Sequence, residues 1–285
     1  MSGPDQPAPL PDRPLVPVDR RHRIIERVAA EQTIHVGALA RELGVSEMTI
    51  RRDIRRLERD GFLRQTYGGA TAHLTRALDV AFNARALQHA REKRLIAMRA
   101  AELIGDARTV FLGIGTTSEQ VARYLPARLD LTVVTASLPS ASLLGTRPVR
   151  TVAIGGFVLR DELSCGGAPA LATLARYHFD LAIVGAAGLS ARWGVTELTD
   201  EEAEVQRAAL ARADRVVVVA DGSKVGTATM AVVAPADRVG VLVTDPSASP
   251  AELEALRALG VEVILIARNR SEDRPPAAPR ATTRV

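Results

Sequence analysis

At 285 residues the chain is long enough for one large or two ordinary domains, and 47% hydrophobic residues with only 3% aromatics make its core one of Ala, Val, Leu and Ile. Cys165 is the only cysteine, which excludes an intrachain disulfide, and no apolar run approaches the span of a bilayer or the pattern of a signal peptide, so the expected setting is soluble and cytoplasmic. A net charge of +4 and a pI near 9.8 suit a polyanionic partner without demonstrating one, because most arginines have Glu or Asp close by in sequence.

Residues 1–18 hold six prolines between Pro4 and Pro17 and no apolar periodicity, the composition of a flexible tail. From Asp19, Ile24, Ile25 and Val28 mark a first helix ending near Glu31, followed by Thr33, Ile34 and His35. His35 stands where a Ser or Thr cap is expected, which weakens the next helix start. Leu39, Ala40 and Leu43 then form one short apolar face, and Gly44 breaks the pattern. Ser46 is placed to cap a further helix by accepting from the amide of Thr49 or Met48.

On that helix Ile50, Ile54 and Leu57 recur at i, i+4 and i+7 and share a buried stripe, while Thr49, Arg51, Arg52, Arg55, Arg56 and Arg59 occupy the other face. An ordinary amphipathic hairpin with a solvated basic face has the same pattern. The coincidence of glycine turn, cap and arginine face favours a helix-turn-helix that lays its second helix in the major groove. Gly61 to Ala70 reads as a two-stranded ribbon, the wing of a winged helix-turn-helix, with Arg64 set to meet a phosphate. Tyr67 and the ribbon glycines equally suit simple closure of the small domain.

The stretch VSEMTIRRDIRRLERDGFLRQTYGGA resembles the signature VS..TIRRDL..L...G.L.R.HGGA of the DeoR-type family of bacterial sugar-metabolism regulators, over about Asp19 to Leu74. The resemblance implies that Thr49, Arg51 and Arg52 reach into the groove, and that Tyr67 replaces the usual wing histidine.

Residues 75–107 read as a mostly polar connector passing into a helix, with Asn83, Arg85, Glu92, Lys93, Ile96, Ala97 and Leu103. Beyond it the apolar runs TVFLGI, LTVVT, VRTVAIGG, DLAIVGAAG, RVVVVAD, RVGVLVTD and VEVILIA alternate with helical stretches near 117–125, 168–177, 200–213 and 250–259. Apolar strands without alternation, separated by helices, predict an α/β domain with a mainly parallel sheet covered on both faces. Ligands of such sheets bind beyond the carboxyl ends of the strands, which brings the loops starting at Gly113, Thr135, Gly155, Gly185 and Asp221 around one crevice. The predicted organisation is a tail over 1–18, a winged helix-turn-helix over 19–74, a connector over 75–107, an α/β sensor over 108–267 and a second tail over 268–285.

Gly113 to Ser118 joins a strand to a helix, so its amides and hydroxyls and the helix dipole favour an anion, phosphate above all. A dinucleotide is disfavoured: Ser118 stands where the third glycine belongs, and the second strand ends in Val134 and Thr135 without an acidic residue. A tight turn with no ligand remains the alternative. Lys93 and Lys224 are the only lysines in a chain otherwise using arginine, and Lys224 follows a strand in the run Asp221, Gly222, Ser223, Lys224, where an ammonium can meet phosphate. Asp200, Glu201, Glu202 and Glu204 suit the solvated start of a helix better than catalysis, and Cys165, without flanking Lys or His, suits a packing role better than redox sensing.

This half is also similar to the DeoR-type sensor domain, through IGTT, VVT.SL, Gly155 and Gly156, FD..IVGA.G, EEAEVQRA and ADGSKVG. The resemblance implies a ribose-5-phosphate isomerase-like fold that binds phosphorylated sugars, with Gly115, Thr116, Thr117 and Lys224 as effector contacts; from the residues themselves, Gly155, Gly156 and Arg160 with Gly166 and Gly167 form a further flexible loop able to approach the ligand, which adds Gly156 to the expected effector contacts. Gly113 stands where the family usually has Asp, and Ala136 where it usually has Asn, which leaves an unusual effector, weaker binding or none as open outcomes. The expected protein is therefore an operator-binding transcriptional regulator, most often a repressor in this family, without enzymatic activity, cofactor or metal. It is expected to work as a homo-oligomer on double-stranded DNA, away from membranes, under a phosphorylated sugar or related metabolite. The rival is a sugar-phosphate isomerase-like enzyme with a DNA-binding appendage, for which Asp221 is the candidate proton carrier.

Overall fold

A computed structural model of the chain describes residues 17–31, 33–59, 62–72, 80–160 and 162–266. Except for the first turn of the first helix, both expected tails lie outside the described residues, as does the start of the connector.

The N-terminal unit contains α1 (Pro17–Glu31), β1 (Thr33–His35), α2 (Val36–Glu42), α3 (Glu47–Arg59), β2 (Leu63–Thr66) and β3 (Gly69–Ala72). Ile24, Ile25 and Val28 of α1 meet Leu39 and Ala40 of α2 and Ile50, Ile54 and Leu57 of α3 in one core, which Phe62, Leu63 and Ala70 close from the ribbon side. The ribbon has three strands rather than the expected two, in the order β1-β3-β2, all antiparallel. β1 escaped the sequence reading because it is three residues long, with only Ile34 pointing inward. The close pairing depends on Gly69, where a Cβ would lie 1.9 Å from the Ile34 carbonyl oxygen. His35 precedes α2 without any side-chain capping bond, as its chemistry predicts.

The remainder begins with α4 (Val80–Leu87) and α5 (Ala90–Glu102), then β4 (Thr109–Leu112), α6 (Thr116–Tyr124), β5 (Thr132–Thr135), α7 (Leu138–Leu144) and β6 (Arg150–Ala153). It continues through β7 (Phe157–Leu159), β8 (Ser164–Gly166), α8 (Ala168–Leu174), β9 (Phe179–Val184), β10 (Gly188–Ser190), β11 (Gly194–Glu197) and α9 (Asp200–Leu210). It closes with β12 (Ala213–Val219), β13 (Ala231–Ala234), β14 (Val241–Thr244), α10 (Pro250–Ala258) and β15 (Glu262–Leu265).

All seven apolar runs become strands of one parallel sheet, ordered β15-β14-β12-β9-β4-β5-β6. Successive strand residues face opposite ways. Val110, Leu112, Leu181, Ile183, Val217 and Val219 therefore pack under α5, α6 and α7, while Phe111, Ala182, Val184, Val216 and Val218 pack under α8, α9 and α10. Burial on both sides is why no strand shows alternation in sequence. The chain runs from β4 outward to β5 and β6 on one side, and from β9 outward to β12, β14 and β15 on the other, so the strand order reverses between β4 and β9. A crevice must open at that point because the loops leaving the two strands diverge to opposite faces. Two additions were not foreseen: α7, and the short antiparallel groups β7-β8 and β10-β11-β13 built from strands of three or four residues.

Candidate functional site

The basic helix is built as a rigid presenter. Ser46 Oγ accepts from the Thr49 amide at 3.2 Å, the cap expected from sequence, and Gly44 turns the chain with φ +63°. Asp53, on the inner side of α3, receives Arg20 Nε at 2.6 Å and Arg21 Nη1 at 3.8 Å, tying α3 to α1. Glu58 Oε1 accepts the Gln65 amide at 2.8 Å and ties α3 to the ribbon. Arg52, Arg55, Arg56 and Arg59 are exposed, Thr49 and Arg51 half-buried, and Arg51 lies 3.2 Å from Glu47 one turn earlier. On the ribbon Arg64 is exposed and Tyr67 stands fully in solvent at the tip, where the Gly68 carbonyl accepts from the Val36 amide at 2.9 Å.

At the sheet's reversal point lies a cavity of about 180 Å³, lined by loops after β4, β9 and β12 and by the α4–α5 corner. Gly115, with φ +95°, precedes α6 and makes no side-chain capping bond. The first amides of a helix have no intrahelical acceptor, so those of Thr116 and Thr117 remain available to a ligand. Of the residues expected here, Gly115, Thr116, Thr117 and Lys224 line the cavity. Gly156 does not: a Cβ on it would lie 2.3 Å from the Gly166 carbonyl oxygen, so its glycine serves the packing of the β7-β8 hairpin. The loops at Thr135 and Gly155 are also absent from the lining, because β5 and β6 stand outward of the reversal point. At Gly113 a Cβ would sit 3.1 Å from the Val184 Cα, so any side chain there requires the neighbouring strand to give by a few tenths of an ångström.

Both lysines of the chain line the cavity. Lys93 Nζ donates to the Arg85 carbonyl oxygen at 2.5 Å. Burial drives its pKa from 10.5 down to about 8, with Lys224 and Arg85 adding to the shift and Asp221 and Glu162 opposing it. Asp221 accepts from the Ser223 amide at 3.1 Å, and the Gly222 amide donates to Asp245 at 2.6 Å, which pins the loop carrying Lys224.

The sequence reading missed the cavity's other carboxyls. Glu162, in the β7-β8 turn, pairs with Arg85 at 2.9 Å. Glu197 is buried, accepts from Gln206 Nε2 at 2.5 Å, and is pushed up to about 8 by burial and by the neighbouring Glu162 and Glu202. Glu202 is itself only 3% exposed, unlike the solvated helix start expected for it. Thr199 caps that helix at the Glu202 amide, 3.3 Å away. Their signal in sequence was absent because Glu162 and Glu197 lie in loop or short-strand positions with no motif around them. Cys165 is buried and its thiol is pushed up by burial, which suits packing rather than reactivity.

A capped basic helix with a wing, joined to a doubly covered parallel sheet with an anion-compatible cavity at its reversal point, defines a DNA-binding regulator carrying a small-molecule sensor. Residues 20–75 match the family model described as the DeoR-like helix-turn-helix domain, and residues 88–246 match that of the DeoR C terminal sensor domain. The chain belongs to the DeoR family of transcriptional regulators. It is 31% identical, over 87% of its length and 93% of the relative's, to a putative aga operon transcriptional repressor of Escherichia coli O157:H7. It is 30% identical, over 88% of its length and 98% of the relative's, to the HTH-type transcriptional regulator GlpR of Haloferax volcanii. Among solved structures, ribose 5-phosphate isomerase A of Methanocaldococcus jannaschii matches 48% of this chain and 54% of its own at 19% identity and a TM-score of 0.37. No helix among the described residues is long and apolar enough to cross a membrane.

Proposed function

We propose that this regulator represses genes of carbohydrate use and that a phosphorylated sugar or related anionic metabolite, bound in the cavity, changes its operator affinity. The observation that carries the reading is the convergence of the uncapped α6 N-terminus and both lysines of the chain on one cavity. A helix N-terminus favours phosphate through its amides and dipole, and two ammonium groups supply the neutralising charge. The repressor relative in Escherichia coli supports the sign of regulation.

On the DNA side Thr49, Arg51 and Arg52 read base edges, Ser46 and Asp53 hold the helix that carries them, and Arg55, Arg64 and Tyr67 fix register on the backbone. Such readers work as dimers on paired half-sites, so we propose a homo-oligomer acting on DNA in the cytoplasm. The cavity senses rather than converts its ligand. The enzymatic alternative draws support from one feature, the carboxyls of Glu197 and Asp221 beside the anion site.

Genome-wide mapping of bound DNA, followed by thermal shift with the phosphorylated intermediates of the neighbouring genes' pathway, tests the reading. A preferred operator and one metabolite that both raises the melting temperature and changes operator affinity are expected. Lack of any preferred duplex ends it, and turnover of a pentose or hexose phosphate that disappears in Asp221→Asn establishes the enzyme instead.

A further inference from the structure

The cavity and the DNA-binding core share one short helix. Ala86 of α4 is buried in the same apolar cluster as Ile24, Ile54 and Leu57, with Leu87 packed against it, and α4 touches both α1 and α6. Adjacent residues of a helix point about 100° apart. Arg85 therefore leaves that core and enters the cavity, where its guanidinium meets Glu162 at 2.9 Å and its carbonyl accepts from Lys93. Gln88 and His89, in the corner that follows the helix, also line the cavity.

The backbone is under tension on both sides of this pair. Among the described residues only His89 (φ 53°) and Leu163 (φ 49°) are non-glycine residues in the left-handed region. One forms the α4–α5 corner and the other follows Glu162 directly. Left-handed non-glycine residues carry a conformational cost and persist where the surroundings hold them in place. The contacts available to hold them include the ion pair itself.

Resting on the anion-binding reading of the cavity, we propose that Arg85 is a further effector contact and that the anion takes its guanidinium from Glu162, releasing α4 and with it the seating of the DNA-binding domain. Charge favours an exchange of this kind. With Arg85, Lys93 and Lys224 around the cavity, an incoming dianion attracts the cations and repels Glu162 in particular, the carboxylate paired with Arg85.

The test uses the full chain with inorganic phosphate as the probe, reading calorimetric affinity and hydrogen exchange of residues 80–89. In the wild type, phosphate slows exchange at Thr116–Glu119 and accelerates it at 80–89. Glu162→Gln, which removes the competing carboxylate and no anion donor, binds phosphate about fivefold tighter and shows fast exchange at 80–89 before phosphate is added. Arg85→Gln binds it more weakly. The double variant Arg85→Glu with Glu162→Arg restores slow ligand-free exchange, which separates loss of the pair from general misfolding. Weaker phosphate binding by Glu162→Gln, or a double variant that stays fast, overturns the exchange mechanism. Phosphate protection at Thr116–Glu119 without any change at 80–89 overturns the exchange alone, whereas no phosphate effect anywhere in the wild-type cavity removes the anion reading beneath it.

Discussion

Two buried titrating groups give the cavity its chemistry at the scale of single residues. Glu197, raised from 4.5 to about 8, takes up a proton on folding between those values, so its contribution to stability falls as pH rises across that window. Lys93, lowered from 10.5 to about 8, gives up a proton on folding between about 8 and 10.5, so its contribution rises with pH there and is lost as pH falls through 8. For an anion the two act together: above pH 8 the cavity loses a positive charge and gains a negative one. Sulfate, whose charge is constant over this range, is therefore expected to bind progressively less well, with the logarithm of its association constant approaching a slope of about −2 per pH unit. Lys93→Met and Glu197→Gln should each flatten that slope by roughly half, as isothermal titration at several pH values would reveal. On the DNA side, Arg52→Ala should cost about 1–3 kcal/mol of operator binding with little loss on random duplex if Arg52 grips a base edge. Fluorescence anisotropy on both duplexes decides this, since equal losses mark a phosphate contact.

Helix α3 shows how secondary elements are fixed before they function. The Ser46 cap and the Asp53 anchor to Arg20 act on the same helix by different means, one satisfying a terminal amide and the other neutralising a buried guanidinium. Ser46→Ala should lower unfolding free energy by about 1 kcal/mol. Asp53→Ala should lower it by about 3 kcal/mol, because it breaks the buried Arg20–Asp53 ion pair. Urea denaturation of the two variants would show the inequality, and similar losses would mean that Arg20 escapes to water. The cap was legible in sequence because Ser46 immediately precedes the helical period. The anchor was not, because Arg20 and Asp53 are brought together only by the packing of α1 on α3.

Across the whole molecule, the described residues form three separate apolar cores: one in the winged domain and one on each face of the sheet. Because α4 contributes Ala86 to the first and Arg85 to the cavity, the mostly polar connector read from sequence is where the two halves meet. Scanning calorimetry should resolve two transitions, and operator DNA at a hundredfold excess over its Kd should stabilise the one belonging to the winged domain by about 2.7 kcal/mol. A single transition that shifts as a whole would mean that α4 couples the cores too tightly for them to melt apart.

Local periodicity and punctuation were enough to specify the basic helix, its cap, the wing and seven sheet strands, since each depends on residues within a few positions of one another. The membership of the cavity was decided by tertiary structure alone. Strand order put β4 beside β9 and left the Thr135 and Gly155 loops outside, while the Arg85–Lys93 pair, Glu162 and Glu197 arrived from three distant segments. A linear pattern records which face a side chain takes on its own element; which charges then share a low-dielectric space depends on chain crossings that no local spacing encodes.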